Sequence, residues 1–348
     1  MFLHEYVTGG GLAGEALPPS WAAEGGAMRR ALAEDFAWSF DGRMTMTLDA
    51  RLPDERDNWH LSDSPTIVRV GPGEELATFT RLAAESDYTL CIAPETGGLL
   101  EARARIIESV GGRSLGSSPE AIALCGDKLR LGEHLRAIGI DTPITIRVNP
   151  RDGLPRDFPY PAVLKPIDGA GSIDTYYVES PSDVPESALL MKDAILQPFV
   201  PGTPMSASFL VDSDGRAASI GAGRQLVTLR SGRFVYEGGI VPFPIAGGGS
   251  RLLDAVESVP GLLGWIGVDF AWDESRGITV LEINPRVTTS YVGWRELAPS
   301  RTAIAGVWLG SIHGPRLGDE RSRLAAGPPI SGSARFSADG RVDRVESA

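Results

Sequence analysis

The pattern of hydrophobic and polar residues divides the first third of the chain into alternating strands and helices. Short apolar runs, typical of buried strands, occupy residues 1–7, 44–48, 66–70 and 88–93. Amphipathic spacing predicts helices at residues 24–35, 73–86 and 97–110. Strands that alternate with helices form parallel sheets covered by helices. We therefore expect residues 1–113 to form one small α/β domain.

The pattern changes near residue 114. Ser118 and Pro119 are suited to be the cap and the first residue of a helix, and a second helix is predicted at residues 127–138. Apolar runs that predict strands then become frequent, at residues 162–166, 194–200, 205–211, 216–223, 265–272 and 278–286. Residues 313–348 are rich in Gly, Pro, Ser and Arg and are expected to be an edge strand or a poorly ordered tail.

The run at residues 278–286, ITVLEINPR, combines a buried strand with polar chemistry. Glu282, Asn284 and Arg286 follow one another at a spacing of two, so an extended chain projects them from one face. A carboxylate, an amide oxygen and a guanidinium together indicate a site for a hard cation beside an anion. Taken alone, the run could equally be a strand that ends in solvent.

Asp269 lies thirteen residues before Glu282, in a second apolar run that is joined to the first by a turn at residues 273–277. A hairpin through this turn would place the two carboxylates opposite each other, where they repel unless a cation lies between them. Oxygen ligands beside an arginine favour Mg²⁺ with a phosphate. The alternative is a register slipped by one residue, which would put one carboxylate on the surface.

Lys165 lies in the apolar strand at residues 162–166 and precedes the Gly-containing loop at residues 168–172. A buried ammonium needs an anion, and the N–H groups of such a loop can bind phosphate oxygens. The interpretation is a phosphate site, with an ordinary hairpin turn as the alternative for the loop alone. Lys128, at the start of a predicted helix, would by itself be a surface lysine.

The order of these motifs resembles that of the ATP-grasp superfamily of carboxylate–amine ligases, over roughly residues 114–312. The resemblance implies that Lys128 and Lys165 hold the α- and β-phosphates of ATP, and that Asp269, Glu282 and Asn284 hold two Mg²⁺ ions, for which Mn²⁺ is an alternative. It also implies a loop that closes over the phosphates, adenine recognition by a hinge, and an Arg286 that touches the γ-phosphate or the acyl phosphate. The implied loop residues are Gly169, Gly171 and Ser172, and the implied hinge residues are Gln197, Phe199 and Val200.

The resemblance implies an ATP-grasp fold, with an α+β lid at residues 114–190 and a C-terminal catalytic subdomain with an antiparallel sheet at residues 191–312. Residues 1–113 would then be a Rossmann-like pre-ATP-grasp domain, and residues 313–348 a tail. The chain departs from the family pattern at one position. In the family, a glutamate that binds the ribose usually lies just after the hinge. The chain has Pro204, Met205 and Ser206 there, so that Ser206 or Asp212 is left as a substitute.

Parts of the first third, such as HEYVTGGG and MTLDARL, and the Arg224-Gln225 pair are similar to one group within this superfamily. That group joins glutamate to tyramine in methanofuran biosynthesis, and its bacterial relatives make a furan cofactor that carries tyrosine. The implied activity is the coupling of a carboxylate, activated as an acyl phosphate, to an amine. The implied acid site uses Arg224 and Arg286 for catalysis. The residues that follow the metal strand, namely Thr288, Thr289, Ser290 and Tyr291, are expected to contact substrate, with a plain loop as the alternative.

Trp294 could stack an aromatic amine, although a core position is as good an interpretation. Other functions remain open: a ligase for another amino-acid or peptide pair, a non-catalytic nucleotide-binding module, and a nicotinamide oxidoreductase. The last is disfavoured because the chain has no dinucleotide fingerprint.

The composition and charge of the chain mainly exclude certain classes of binding partner. The net charge of −12, without a basic stripe, argues against a nucleic-acid or anionic-membrane binder. No apolar run approaches the ~18 residues of a membrane span, and the first residues do not resemble a signal peptide. Two cysteines are too few for a disulfide framework, and four scattered histidines show no zinc spacing. We expect a cytoplasmic enzyme with small-molecule substrates, and leave a homodimer open.

Overall fold

The computed structural model describes residues 1–54, 59–61, 64–169, 172–191, 193–245, 247–300, 303–313 and 332–345 of the 348-residue chain. Within these ranges, none of the helices combines the length and the apolar character needed to cross a bilayer.

The N-terminal part contains a four-stranded parallel sheet flanked by helices, as the alternating pattern predicts. The strands are β1 (Phe2–Glu5), β2 (Thr45–Asp49), β3 (Thr66–Val70) and β4 (Thr89–Ile92), in the order β3-β2-β1-β4. The helices are α1 (Pro19–Ser39), α2 (Glu75–Glu85) and α3 (Leu99–Ser109). Helix α1 is longer at both ends than the predicted helix at residues 24–35.

The glycine run after β1 forms a π-helical turn, Val7–Gly11. Gly10 has a φ of 103°, and a Cβ at this position would lie 2.4 Å from the Cγ1 atom of Val70. Glycine is therefore required at residue 10 both by the backbone conformation and by close packing.

Two short helices, α4 (Pro119–Gly126) and α5 (Lys128–Ala137), connect the N-terminal part to a larger sheet. Ser118 caps α4 by accepting a hydrogen bond from the Ala121 N–H, and the Asp127 carboxylate caps α5 through the N–H groups of Leu129 and Arg130. The Asp127 cap fixes the start of α5, and with it the position of the Lys128 side chain.

The larger sheet has eleven strands. Its first four are the short strands β5 (Ile146–Val148), β6 (Ala162–Pro166), β7 (Tyr176–Val178) and β8 (Ala194–Pro198). The longer ones are β9 (Thr203–Val211), β10 (Ala217–Arg230), β11 (Arg233–Val241), β12 (Gly264–Asp273) and β13 (Gly277–Asn284). The order of these nine strands is β13-β12-β9-β10-β11-β7-β6-β8-β5, and the pairings between neighbours are antiparallel. The other two strands form a hairpin near the C-terminus. The parallel sheet and the antiparallel sheet together confirm the predicted α/β fold class.

Helix α6 (Gly249–Glu257) covers the long strands, and helices α7 (Ser290–Leu297) and α8 (Ala303–His313) follow β13. Helix α7 occupies the segment where the sequence suggested a loop. Near the C-terminus, β14 (Ser333–Ser337) and β15 (Val342–Val345) form a hairpin, and β14 pairs with β11.

A buried charge cluster fastens α1 to α7. The carboxylate of Asp35, which is fully buried, accepts hydrogen bonds from the Tyr291 hydroxyl at 2.8 Å and from the Arg295 guanidinium at 2.6 Å. Arg295 also donates to Glu34 at 2.9 Å. Burial raises the pKa of Asp35, whereas the contacts with Arg295 and Tyr291 oppose that rise. The cluster therefore ties the N-terminal part to the segment that follows β13.

We predict that Asp35→Ala lowers the free energy of unfolding by about 3 kcal/mol, because it leaves the buried Arg295 guanidinium short of a partner. Urea denaturation followed by circular dichroism measures the change. The matched control is Glu85→Ala, which breaks an exposed ion pair with Arg81 and is expected to cost under about 1 kcal/mol. Equal midpoints for the two variants would contradict this role of Asp35.

Candidate active site

The strand pair β12–β13 places two carboxylates opposite each other. Asp269 is paired directly with Glu282, and the register shifts only after Asp269. The predicted register is therefore the observed one, without a slip. The Asn284 amide donates to Asp269 at 3.1 Å, and Gln225 of β10 donates to the other Asp269 oxygen at 2.8 Å.

Asp269 and Glu282 lie in the same environment, but their pKa values shift in opposite directions. Burial and the adjacent Glu282 carboxylate raise the pKa of Asp269 well above its ordinary value. Burial would also raise the pKa of Glu282, but the ammonium groups of Lys128 and Lys165 outweigh it and hold that pKa below its ordinary value. The two opposed carboxylates therefore repel each other unless positive charge lies between them.

Both predicted phosphate lysines lie at this pair. The Nζ of Lys128 lies 3.4 Å from Glu282 Oε2 and also donates to the Gly169 carbonyl. Lys128 is only 7% exposed, so it is not the surface lysine that its local sequence alone would suggest. Burial lowers the pKa of Lys165 to about 8, and the Glu282 carboxylate opposes this shift.

Arg286 is buried beside the same carboxylates and is held by Glu95. The Arg286 Nε lies 3.0 Å from Glu95 Oε1 and 3.1 Å from Oε2. Glu95 comes from the turn after β4. Two residues of that turn also contact Asp168 before the Gly-containing loop, through Thr96 Oγ1 at 3.1 Å and the Gly97 N–H at 2.8 Å. The N-terminal part thus contacts both the guanidinium and the base of the loop.

The described part of the Gly-containing loop lies on the wall of the same cavity. Gly169 and Ser172 line it, and Ser172 has a φ of 61°. Gly171 lies outside the described residues. The contact between Lys128 and the Gly169 carbonyl links this loop to helix α5.

The predicted hinge forms an apolar end of the cavity. Gln197, Phe199 and Val200 line it, and the Gln197 amide donates to Thr145 at 2.8 Å. Phe199 stacks against Phe234 of β11 with ring centroids 6.4 Å apart and an interplanar angle of 14°. Flat aromatic surfaces next to strand backbone suit a planar, uncharged heterocycle.

The segment after β13 divides between the cavity and the core. Thr288, Thr289 and Ser290 line the cavity. Their hydroxyls are engaged within the protein: Thr288 with Ser290 at 2.9 Å, and Ser290 with Ser208 at 3.2 Å.

Two of the predicted site residues, the substrate residue Tyr291 and the catalytic residue Arg224, point elsewhere. Tyr291 is fully buried in helix α7 and donates to Asp35, so the expectation that it contacts substrate is corrected: one helical turn rotates it into the core. Arg224 is exposed on β10 and does not line the cavity, whereas its neighbour Gln225 does. Successive strand residues face opposite sides, which explains why the pair is split. Trp294 is likewise a core residue, 2% exposed.

Residues that the sequence did not single out also line the site. Glu24 of α1 accepts a hydrogen bond from Thr289, and Tyr236 of β11 lies within electrostatic reach of both Asp269 and Glu24. Glu24 sits in an ordinary amphipathic helix, and nothing in its local pattern marks it as functional. Ser206, the proposed ribose substitute, lines the cavity beside Asp269, whereas Asp212 caps the β9–β10 turn and does not line it.

The residues named above as lining the site surround one cavity of about 750 Å³, a volume typical of a small-molecule site. Among the described residues, no group of three or more His, Cys, Asp or Glu side chains could hold a metal ion. The donor set of Asp269, Glu282 and Asn284, with two carboxylates and one amide, nevertheless fits a hard divalent cation that would relieve the opposed charges.

Comparisons with known proteins agree with this geometry. The family model of the ATP-grasp domain matches residues 125–290, and that of the pre ATP-grasp 3 domain matches residues 42–122. The chain is 29% identical to tyramine–L-glutamate ligase of Methanocaldococcus jannaschii over 248 residues, which is 68% of each chain. It is also 29% identical to the enzyme of the same name from Methanocaldococcus fervens over 219 residues, 60% of this chain and 61% of the relative.

The fold is also that of a solved structure, an ATP-grasp superfamily protein from Archaeoglobus fulgidus. The two share 22% identity and a TM-score of 0.71, over 100% of this chain and 99% of the other. The ATP-grasp fold expected from the sequence is thereby confirmed. The matched models and the shared fold identify an ATP-grasp domain at residues 125–290, preceded by a pre ATP-grasp 3 domain, and the related ligases indicate an ATP-dependent ligase.

Proposed function

We propose that the protein activates the γ-carboxylate of L-glutamate with ATP and couples it to the amino group of tyramine or tyrosine, as a step in the biosynthesis of a furan cofactor. The observation that carries the ligase chemistry is the convergence of Asp269, Glu282, Lys128, Lys165 and Arg286 on one cavity. Two opposed carboxylates surrounded by three cationic side chains suit a metal-bound polyphosphate.

The predicted residues that line the cavity have the following roles in this proposal. Lys128 and Lys165 bind the α- and β-phosphates, and Gly169 and Ser172 contact them. The apolar end at Gln197, Phe199 and Val200 holds adenine. Asp269, Glu282 and Asn284 would hold Mg²⁺ or Mn²⁺, which neutralises charge on the phosphates when bound.

The chain's own residues then do little covalent chemistry. Arg286 orients and neutralises the phosphoryl group as a carboxylate oxygen attacks the γ-phosphorus and ADP leaves. The buried walls of the cavity keep water from the acyl phosphate that results. Attack of the amine on the carbonyl carbon forms the amide and releases phosphate. No nucleophilic side chain is required, because positioning and electrostatics supply the acceleration.

The choice of glutamate and an aromatic amine is supported by the two related ligases, whose name states those substrates. Glutamate carries a second carboxylate, and Arg286, with the hydroxyls of Thr288 and Ser290, supplies a polar wall for it. A ligase for another amino-acid or peptide pair is the alternative within the same chemistry. A cytoplasmic location and a homodimer stay predictions.

We predict that Lys165→Met removes nucleotide binding while the fold is retained. Saturating ADP should raise the melting temperature of the wild-type protein and leave that of the variant unchanged, because the buried ammonium no longer meets the phosphates. Turnover should fall by about 100-fold or more. Arg81→Met, on the exposed face of α2, is the control and should behave as wild type. A folded Lys165→Met protein with wild-type turnover would contradict the phosphate role.

We predict that Asp269→Asn and Glu282→Gln each slow Mg²⁺-dependent turnover by about 100-fold or more, because each removes a metal ligand. Their effects on stability should differ when urea unfolding is measured in EDTA at pH 7. Asp269→Asn resembles the protonated carboxyl and should leave the stability unchanged or raised. Glu282→Gln deprives Lys128 and Lys165 of their carboxylate and should lower stability by about 1–3 kcal/mol. Near-normal rates with unchanged Mg²⁺ dependence in either variant would refute the paired-carboxylate site.

We predict ADP release and amide formation with L-glutamate plus tyramine, or with L-glutamate plus tyrosine. Mass spectrometry of the product identifies the amide and shows which carboxylate has reacted. Omission of either substrate is the control, since ATP hydrolysis alone is not ligation. If another pair, for example two alanines, reacts far faster while these pairs give nothing, the ligase chemistry stands and the substrate assignment fails.

A further inference from the structure

Helix α1 brings a carboxylate without a cationic partner into the cavity. Glu24 accepts a hydrogen bond from the Thr289 hydroxyl. Among the residues that the structure describes, no lysine, arginine or histidine forms a salt bridge with Glu24. Burial raises the pKa of this carboxyl, and the hydrogen bond from Thr289 and the charge of Arg286 only partly offset the rise. A cationic ligand group would complete this arrangement.

Trp21 lies one helical turn before Glu24 and lines the same cavity. Its side chain is 40% exposed, which is unusual for so large an apolar ring. Residues three apart on a helix have Cβ atoms about 5–6 Å from each other, so the ring and the carboxylate form one contiguous surface. An arylalkyl amine has the matching pattern, an aromatic ring and an ammonium group joined by a short carbon chain.

Glu24 also lies on the side of the cavity where the reaction would occur. Glu24 accepts a hydrogen bond from Thr289, which follows Arg286 by three residues, and Tyr236 lines the same cavity as Asp269 and Glu24. Arg286 lies near Glu24 as well. The described cations on the cavity wall are Lys128, Lys165 and Arg286, and α1 contributes none. The cations suit the phosphates and the carboxylates of the acid, whereas α1 offers a carboxylate and an aromatic ring, which suit the amine.

We propose that helix α1 forms the amine subsite: Glu24 binds the ammonium group of an aromatic amine and accepts its proton, and Trp21 contacts the ring. This inference rests on the proposed ligase function and names the residues that select its second substrate. It also gives the N-terminal domain a direct part in the site.

The proton balance is complete with groups already named. The Glu24 carboxylate takes one proton from R–NH₃⁺ and so frees the nitrogen lone pair. The lone pair attacks the carbonyl carbon of the acyl phosphate, the C–N bond forms, and the C–O bond to phosphate breaks with its electron pair on oxygen. The second proton of the nitrogen leaves with the phosphate, as HPO₄²⁻. Glu24 afterwards returns its proton to solvent.

Hydroxylamine provides the decisive comparison, because it is a small and mostly neutral nucleophile at pH 8 that needs neither an ammonium receptor nor a base. With ATP and glutamate, it converts an acyl phosphate into a hydroxamate. We expect Glu24→Gln to make hydroxamate within about threefold of the wild-type rate. The same variant should lose about 100-fold in kcat/KM for tyramine or tyrosine, each tested as a separate arm, which is within the range of a general base.

Trp21→Leu tests the ring contact. We expect KM for the aromatic amine to rise by about 2- to 12-fold, the equivalent of the usual energy of an aromatic contact. The hydroxamate rate should not change. Glu237→Gln is the matched control: Glu237 is also a carboxylate of the cavity wall, but Arg230 is its ion-pair partner, so the variant should keep both activities.

Several results would overturn the assignment. One is a Glu24→Gln protein with unchanged kcat/KM for the aromatic amine. Another is a raised KM for glutamate in the hydroxamate assay, which would mean that Glu24 holds the ammonium of the acid. A third is a wild-type protein that makes hydroxamate but joins neither tyramine nor tyrosine. A wild-type protein that gives no hydroxamate and no ADP with glutamate would instead refute the proposed function with this acid, and the subsite assignment would fail with it.

Discussion

The site is organised around the opposition of Asp269 and Glu282 across one antiparallel strand pair. Two buried carboxylates in direct register would be destabilising by themselves, and the surrounding residues are arranged to tolerate them. Lys128 and Lys165 stabilise the charge on Glu282, while Asp269 takes hydrogen bonds from Gln225 and Asn284. The protein therefore keeps a place for positive charge in its interior. That requirement explains why a buried Lys128 and a partly buried Lys165 lie beside these carboxylates.

The second constraint is that the site is assembled from distant parts of the chain. Glu95, from the turn after β4, holds Arg286, and Glu24 of α1 accepts a hydrogen bond from Thr289. The buried cluster of Asp35 and Arg295 fixes α1 against α7, directly after those residues. The N-terminal domain is thus part of the catalytic architecture, because it positions an arginine and supplies a wall of the cavity.

The sequence predicted the features that are local in the chain. The spacing of Glu282, Asn284 and Arg286 was sufficient to bring all three to one cavity, although β13 ends at Asn284. The short turn at residues 273–277 was sufficient to place Asp269 opposite Glu282. The alternation of predicted strands with predicted helices also predicted the parallel N-terminal sheet. These predictions succeed because the geometry of a strand or a tight turn fixes side-chain direction over a few residues.

The remaining features depend on packing between distant elements. Tyr291 was expected at the substrate, but the chain becomes helical at Ser290 and turns this ring towards Asp35, more than 250 residues away in sequence. Arg224 was chosen over Gln225, because nothing in the local pattern shows which face of β10 meets the cavity. The sequence did not indicate a functional role for Glu24 or Glu95, because the pattern of the segment around each is ordinary. Each gains its role only from the residues that pack opposite it.

The central claim is that the site transfers a phosphoryl group from ATP to a carboxylate oxygen, and isotope transfer tests it most directly. The measurement uses L-glutamate labelled with ¹⁸O in its side-chain carboxylate, together with ATP, Mg²⁺ and tyramine or tyrosine. Activation as an acyl phosphate predicts that each phosphate released carries one ¹⁸O atom from the acid, because the bridging oxygen leaves with phosphorus. Phosphate that is released without the label, at the same rate as ADP, would show that water and not the carboxylate receives the phosphoryl group.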